Sequence, residues 1–87
     1  MRFMVVERFT DARAIYERLR ERGRLMPEGL TYVDSWIAED LGRCFQLMEA
    51  ERPELFDDWI AHWKDLMEFE VVPVLSSAAA SAKALRE

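Results

Sequence analysis

Few side chains in this sequence could do chemistry. His62 is the sole histidine, Cys44 the sole cysteine, and Asp34 and Gln46 stand among Tyr32, Trp36 and Met48. A single cysteine excludes an intramolecular disulfide and a cysteine-based zinc site. A thiol nucleophile needs a base beside it, and only His62 has the right chemistry. The two are expected on opposite sides of a sheet, so Cys44 reads as a small buried hydrophobe. Asp34 and Gln46 with Tyr32 and Trp36 have the composition of a small-molecule site, a few polar groups among aromatic walls. A desolvated Asp34 would have a raised pKa and could work as a general acid or base. The competing reading has these polar groups bonding across a dimer and fixing its register. Gly23, Gly29 and Gly42 are too scattered for a phosphate loop. Arg18, Arg20, Arg22 and Arg24 are interrupted by Glu17 and Glu21, the pattern of a solvated helix face rather than an anion site.

The elements that must position these groups follow from periodicity and capping. Phe3 to Val6 is a short apolar run, read as the centre of a strand over residues 2–9. Thr10 is the expected cap of a helix over residues 11–22, with Asp11 at the positive end of its dipole and Ala12, Ile15, Tyr16 and Leu19 as its apolar stripe. Gly23 stands where a left-handed cap ends a helix. Leu30 to Ile37 and Arg43 to Glu49 read as strands two and three, joined by Ala38 to Gly42. Pro53 and Glu54 open a second helix, whose stripe is Leu55, Phe56, Trp59, Ile60, Trp63 and Leu66. Met67 to Leu75 reads as strand four, with Pro73 marking an edge or an end. Arg8, Glu7 and Glu70 are expected to form cross-strand ion pairs. Residues 1–75 thus form one domain, and 76–87 an Ala- and Ser-rich tail, either a loosely docked helix or disordered.

This order predicts an α+β fold of the ferredoxin-like βαββαβ type, one antiparallel four-stranded sheet with two helices on one face. If Ile37 pairs with Arg43, then Ser35 faces Phe45 and Val33 faces Leu47 on the side covered by helices. The same register sets Tyr32 by Met48, Asp34 by Gln46 and Trp36 by Cys44 on the open side. That open patch is too apolar for water. A second copy of the chain is the expected cover, with Tyr32, Trp36, Cys44 and Met48 in the interface and a small cavity between the subunits. A chain of 87 residues buries only about 60 to 65% of its surface on folding, so it gains from self-association.

Gly23-Arg24, Pro27-Glu28-Gly29-Leu30, Tyr32-Val33-Asp34-Ser35-Trp36, Cys44-Phe45-Gln46-Leu47-Met48-Glu49, Trp59-Ile60-Ala61-His62-Trp63 and Glu70-Val71-Val72-Pro73-Val74 resemble a family of short uncharacterised bacterial proteins. That family is similar to the dimeric α+β barrel superfamily, in which two ferredoxin-like subunits press their sheets together. The resemblance implies the fold and the homodimer and brings no established activity. In related barrels that degrade haem, a histidine of the second helix binds the iron, which makes His62 a conceivable haem ligand. The plainer account is a partly exposed helix histidine with one hydrogen bond.

The net charge of −5 disfavours nucleic acid as a partner. No apolar segment approaches a membrane span, and a cytoplasmic location follows. The expected function is small-molecule binding between sheet and partner by Tyr32, Asp34, Trp36, Gln46, Met48 and His62, without metal or cofactor. The alternative is a non-enzymatic interaction module whose sheet face is filled by dimer contacts, and a monooxygenase-like enzyme ranks behind both. No residue pattern decides whether the chain is an enzyme.

Overall fold

A computed structural model describes residues 1–86. The chain runs β1 (Arg2–Phe9), α1 (Ala12–Arg22), β2 (Leu30–Ile37), β3 (Arg43–Ala50), α2 (Leu55–Ala61), β4 (Met67–Pro73) and α3 (Ser77–Ala84). All neighbouring strands are antiparallel, in the order β2-β3-β1-β4, which is the ferredoxin-like arrangement. Pro73 closes β4 and lies on an edge strand, where its missing N–H costs no central ladder bond.

Local chemistry sets the ends of α1. Asp11, not Thr10, is the cap, and its carboxylate accepts from the Ala14 N–H at 3.1 Å. Thr10 instead donates its hydroxyl to the Leu66 carbonyl at 2.7 Å, tying β1 to the segment before β4. Gly23 closes the helix at φ 69° and donates its N–H to Leu19. The second helix is shorter than its apolar stripe: regular helix stops at Ala61, and turns carry Trp63 and Leu66. Trp63 is still 3% exposed, so the tertiary contact survives without the helix. The tail is helical from Ser77 to Ala84, capped by Ser76, and buries no residue.

One core joins both main helices to one face of the sheet. Phe3, Val5, Leu30, Met48, Ala50 and Met67 of the sheet pack with Ile15 of α1 and with Leu55, Phe56, Trp59 and Trp63. Edge-to-face contacts run through it, Phe3 to Phe56 at 5.0 Å and Trp59 to Phe69 at 5.4 Å. The inward residues of β1 are therefore the odd ones and those of β3 the even ones.

The β2–β3 hairpin departs from regular alternation. Tyr32 pairs with Met48, but the next pair is Asp34 with Leu47, and Val33 is the extra residue of a bulge. Trp36 then faces Phe45, Ser35 faces Gln46 and Ile37 faces Cys44. The connection explains the slip. Ala38 donates its N–H to Arg43 at 2.9 Å, Asp40 accepts from the Gly42 N–H at 2.8 Å, and Leu41 takes φ 61°. This loop closes the hairpin one residue away from the expected pairing, and the bulge restores the register beyond it. The Asp34 carboxylate accepts from the Ser35 N–H at 2.8 Å, a local bond at the irregularity.

This corrects the expected division of faces. Cys44, Gln46 and Met48 point under the helices, each 3% exposed or less, so Cys44 and Met48 cannot lie on an open-face interface. Tyr32 lies on the same side, paired with Met48. Trp36 does face away from the helices, at 54% exposure, and Asp34 goes with it. The open face carries Met4, Val6, Phe45, Leu47 and Trp36, cross-strand neighbours of one another, with Val72 beside Met4. Phe45 and Leu47, expected beneath the helices, belong to it.

Candidate functional site

The alternation of β1 brings a carboxyl into the apolar interior. Phe3, Val5, Glu7 and Phe9 share the inner face, and Glu7 is 4% exposed. Its strand neighbours there are Cys44 on β3 and Phe69 on β4. Burial pushes the Glu7 carboxyl from its ordinary 4.5 up to about 7, against the opposing pull of a hydrogen bond from the Cys44 thiol and of the Arg24 charge. The thiol moves with it: burial and the neighbouring Glu7 push Cys44 up to about 12. A thiol so far above neutral is not a nucleophile. The expected ion pairing of Glu7 is replaced by this carboxyl–thiol contact, and neither Arg8 nor Glu70 forms an ion pair among the described residues.

Arg24 is placed by the segment between α1 and β2. The indole N–H groups of Trp59 and Trp63 both donate to its backbone carbonyl, at 3.1 and 3.0 Å. Leu25 follows at φ 61°, a left-handed conformation that a branched side chain adopts only when its surroundings impose it. Held in this way, the guanidinium lies over the Tyr32 ring, 3.7 Å from its centroid, and donates to Gln46 Oε1 at 3.2 Å. Gln46 donates onward to the Met48 sulfur at 3.3 Å, and the Tyr32 hydroxyl bonds that of Ser35 at 2.8 Å.

Glu7, Arg24, Ser35, Cys44 and Gln46 line a cavity of about 110 Å³ between the sheet and α1, partly open to solvent. Its polar lining residues include Tyr16 as well. Its apolar walls include Phe9, Ile15 and Leu19, with Trp59 and Trp63 behind Arg24. Of the residues expected to bind a ligand, Gln46 lines this cavity, and Tyr32 supports Arg24 from beside it. Met48 is fully buried in the core. Asp34 and Trp36 lie across the sheet, away from the cavity. His62 ends α2 exposed, and its carbonyl accepts from Arg18 at 2.8 Å while Arg18 grips Asp65 through two bonds. Residue types alone did not single out Glu7 or Arg24. Glu7 was legible through the strict alternation of β1, whereas the run of arginines concealed Arg24, the one that lies past the helix.

The raised Glu7 pKa has a consequence for stability. Below about pH 4.5 the carboxyl is protonated in both folded and unfolded chains. Between 4.5 and 7 the unfolded chain releases its proton while the folded one keeps it, so stability falls as pH rises and levels off above 7. The loss amounts to about 3 kcal/mol. Glu7→Gln should remove this component, so that the variant gains on the wild type by about that amount between pH 5 and 8 in urea unfolding. An equal pH response in both proteins would refute the buried acid.

The sequence model of a family described as domain of unknown function (DUF3303) matches residues 1–86. No curated protein and no solved structure matches the chain.

Proposed function

Because the chain belongs to the DUF3303 family, which brings no activity with it, its role has to be read from its own atoms, and we propose that it is a small-molecule binding protein whose ligand enters the cavity beside Glu7 and Arg24. The observation that carries this is the pairing of an apolar recess with a buried acid and a cation fixed in place beforehand. A structural core has no need of a buried carboxyl, which costs free energy to bury. Such combinations of recess and perturbed acid are characteristic of ligand sites. The site lies on the helix side of the sheet, not between sheet and partner.

The open face supports self-association as a second part of this reading. Trp36 at 54%, Val33 at 39% and Val72 at 36% are exposed around Met4, Val6, Phe45 and Leu47. Four strands of seven or eight residues present a face of roughly 500 Å², from strand spacings of about 4.8 Å and rises of about 3.3 Å. Two such faces together reach the roughly 1,000 Å² of a specific interface. We therefore assign the chain to a homodimer joined through this face, of the kind found in dimeric α+β barrels. The described residues include no helix long and apolar enough to cross a membrane. The free, buried Cys44 suits a reducing compartment, which favours the cytoplasm.

A fragment screen by thermal shift tests the binding site. A ligand at 100 times its Kd adds about 2.7 kcal/mol to stability. Hits should move the indole N–H signals of Trp59 and Trp63 in proton–nitrogen NMR spectra and leave that of Trp36 in place. Hits that move only Trp36 would relocate the site to the open face.

A further inference from the structure

The cation and the acid of the cavity are not spent on each other. Arg24 forms no ion pair among the described residues. Of its five N–H donors, the structure commits one to Gln46, and its flat fork suits a planar carboxylate. Glu7 has Cys44 as its strand partner on β3 and in its acid form carries one O–H to donate. Both groups line the same recess, whose remaining walls are mostly apolar. The missing piece between them is an acceptor with a single negative charge and a short apolar body.

We propose, resting on the small-molecule reading above, that the cavity takes a small monocarboxylate whose oxygens bind the Arg24 guanidinium and the carboxyl proton of Glu7, one proton being taken up with the ligand. The charge count favours one carboxylate over a phosphate or a dicarboxylate. A single guanidinium offsets one negative charge, and a second would meet Glu7 without a counter-cation. Size points the same way: about 110 Å³ is less than the ~150 Å³ of a dry cavity that holds benzene. A body of a few carbons fits against Phe9, Ile15 and Leu19.

The proton linkage rests on Glu7 because its neighbours do not titrate near neutrality. Cys44 faces it from β3 and is pushed up to about 12. Tyr16 faces it from α1, and burial raises its hydroxyl above the ordinary 10. Arg24 faces it from the connection to β2, and its charge pulls against the rise of the Glu7 carboxyl. From β4 comes Phe69, and from α2 and its following turn Trp59 and Trp63, none of which ionises.

Butyrate is the probe, with butyramide as its neutral isostere, titrated into the full chain while the Trp59 and Trp63 indole signals are followed between about pH 6 and 8.5. Butyrate should bind at least tenfold more tightly than butyramide, and above neutrality its Kd should rise about tenfold per pH unit. Glu7→Gln, which keeps a neutral donor at that position, should bind butyrate with no such slope. Arg24→Met, which retains the backbone carbonyl held by both indoles, should weaken butyrate at least tenfold. Equal affinity for the two probes, or a pH slope that persists in Glu7→Gln, overturns the proposal. If screened fragments move the indoles and butyrate at about 50 mM does not, the ligand class falls and the binding site stands. If neither moves them, both fall.

Discussion

Trp59→Ala should lose about 3–5 kcal/mol of folding stability, enough to leave the isolated domain partly or wholly unfolded at room temperature. The ring is 3% exposed and meets Phe56 and Phe69 edge to face, at 6.3 and 5.4 Å between centroids. Truncation removes this contact area and enlarges the neighbouring recess, and nothing beside it is free to collapse into both spaces. Trp59→Phe separates packing from hydrogen bonding. It keeps most of the volume and removes the donor to the Arg24 carbonyl, which still accepts from Trp63. Its cost should stay near 1 kcal/mol. Chemical denaturation of the three proteins measures both figures. A loss below about 1 kcal/mol for the alanine variant would show that the ring is not packed as described.

Trp36→Glu should halve the particle mass seen by light scattering, to that of a single 10.3 kDa chain. In a lone chain the substitution is mild, since the side chain is already 54% exposed and exposed changes stay within about 0.5 kcal/mol. In a face-to-face dimer it buries an unpaired carboxylate beside Phe45 and on the same face as Asp34. The variant should therefore be a folded monomer, with a circular dichroism spectrum like that of the wild type. A wild-type chain that is monomeric at every concentration, or a variant that remains dimeric, would remove the open-face assembly.

Much of the fold was legible because apolar periodicity and capping act locally. Phe3 to Val6, the stripe of Ile15 and Leu19, the Gly23 cap and the stripe through Trp59 each point to one element, and the order of elements leaves few topologies. The strand faces were less legible. Their assignment relied on counting pairs from an assumed turn, and a bulge of one residue defeats such counting because strand side chains repeat every second residue. Val33 carries no mark of a bulge in its own chemistry; the loop from Ala38 to Gly42 and the bond from Asp34 to Ser35 are what make room for it. The candidate site was hidden for a related reason. Glu7, Arg24 and Gln46 come from two strands and a connection, and only the tertiary fold sets them around one space, with Tyr32 of a third strand beside Arg24.

The three tryptophans are divided between the two surfaces of the sheet. Trp59 and Trp63 stand at the wall of the recess with their indoles held, and Trp36 stands alone on the far side. The chain thereby carries its own optical probes. Under the proposed function, emission from the first pair would report a ligand in the recess, and a blue shift from the third would report the loss of water on pairing of the open faces. With Trp36 changed to phenylalanine, the remaining fluorescence belongs to the recess alone, and the two events can be followed separately without attaching a dye.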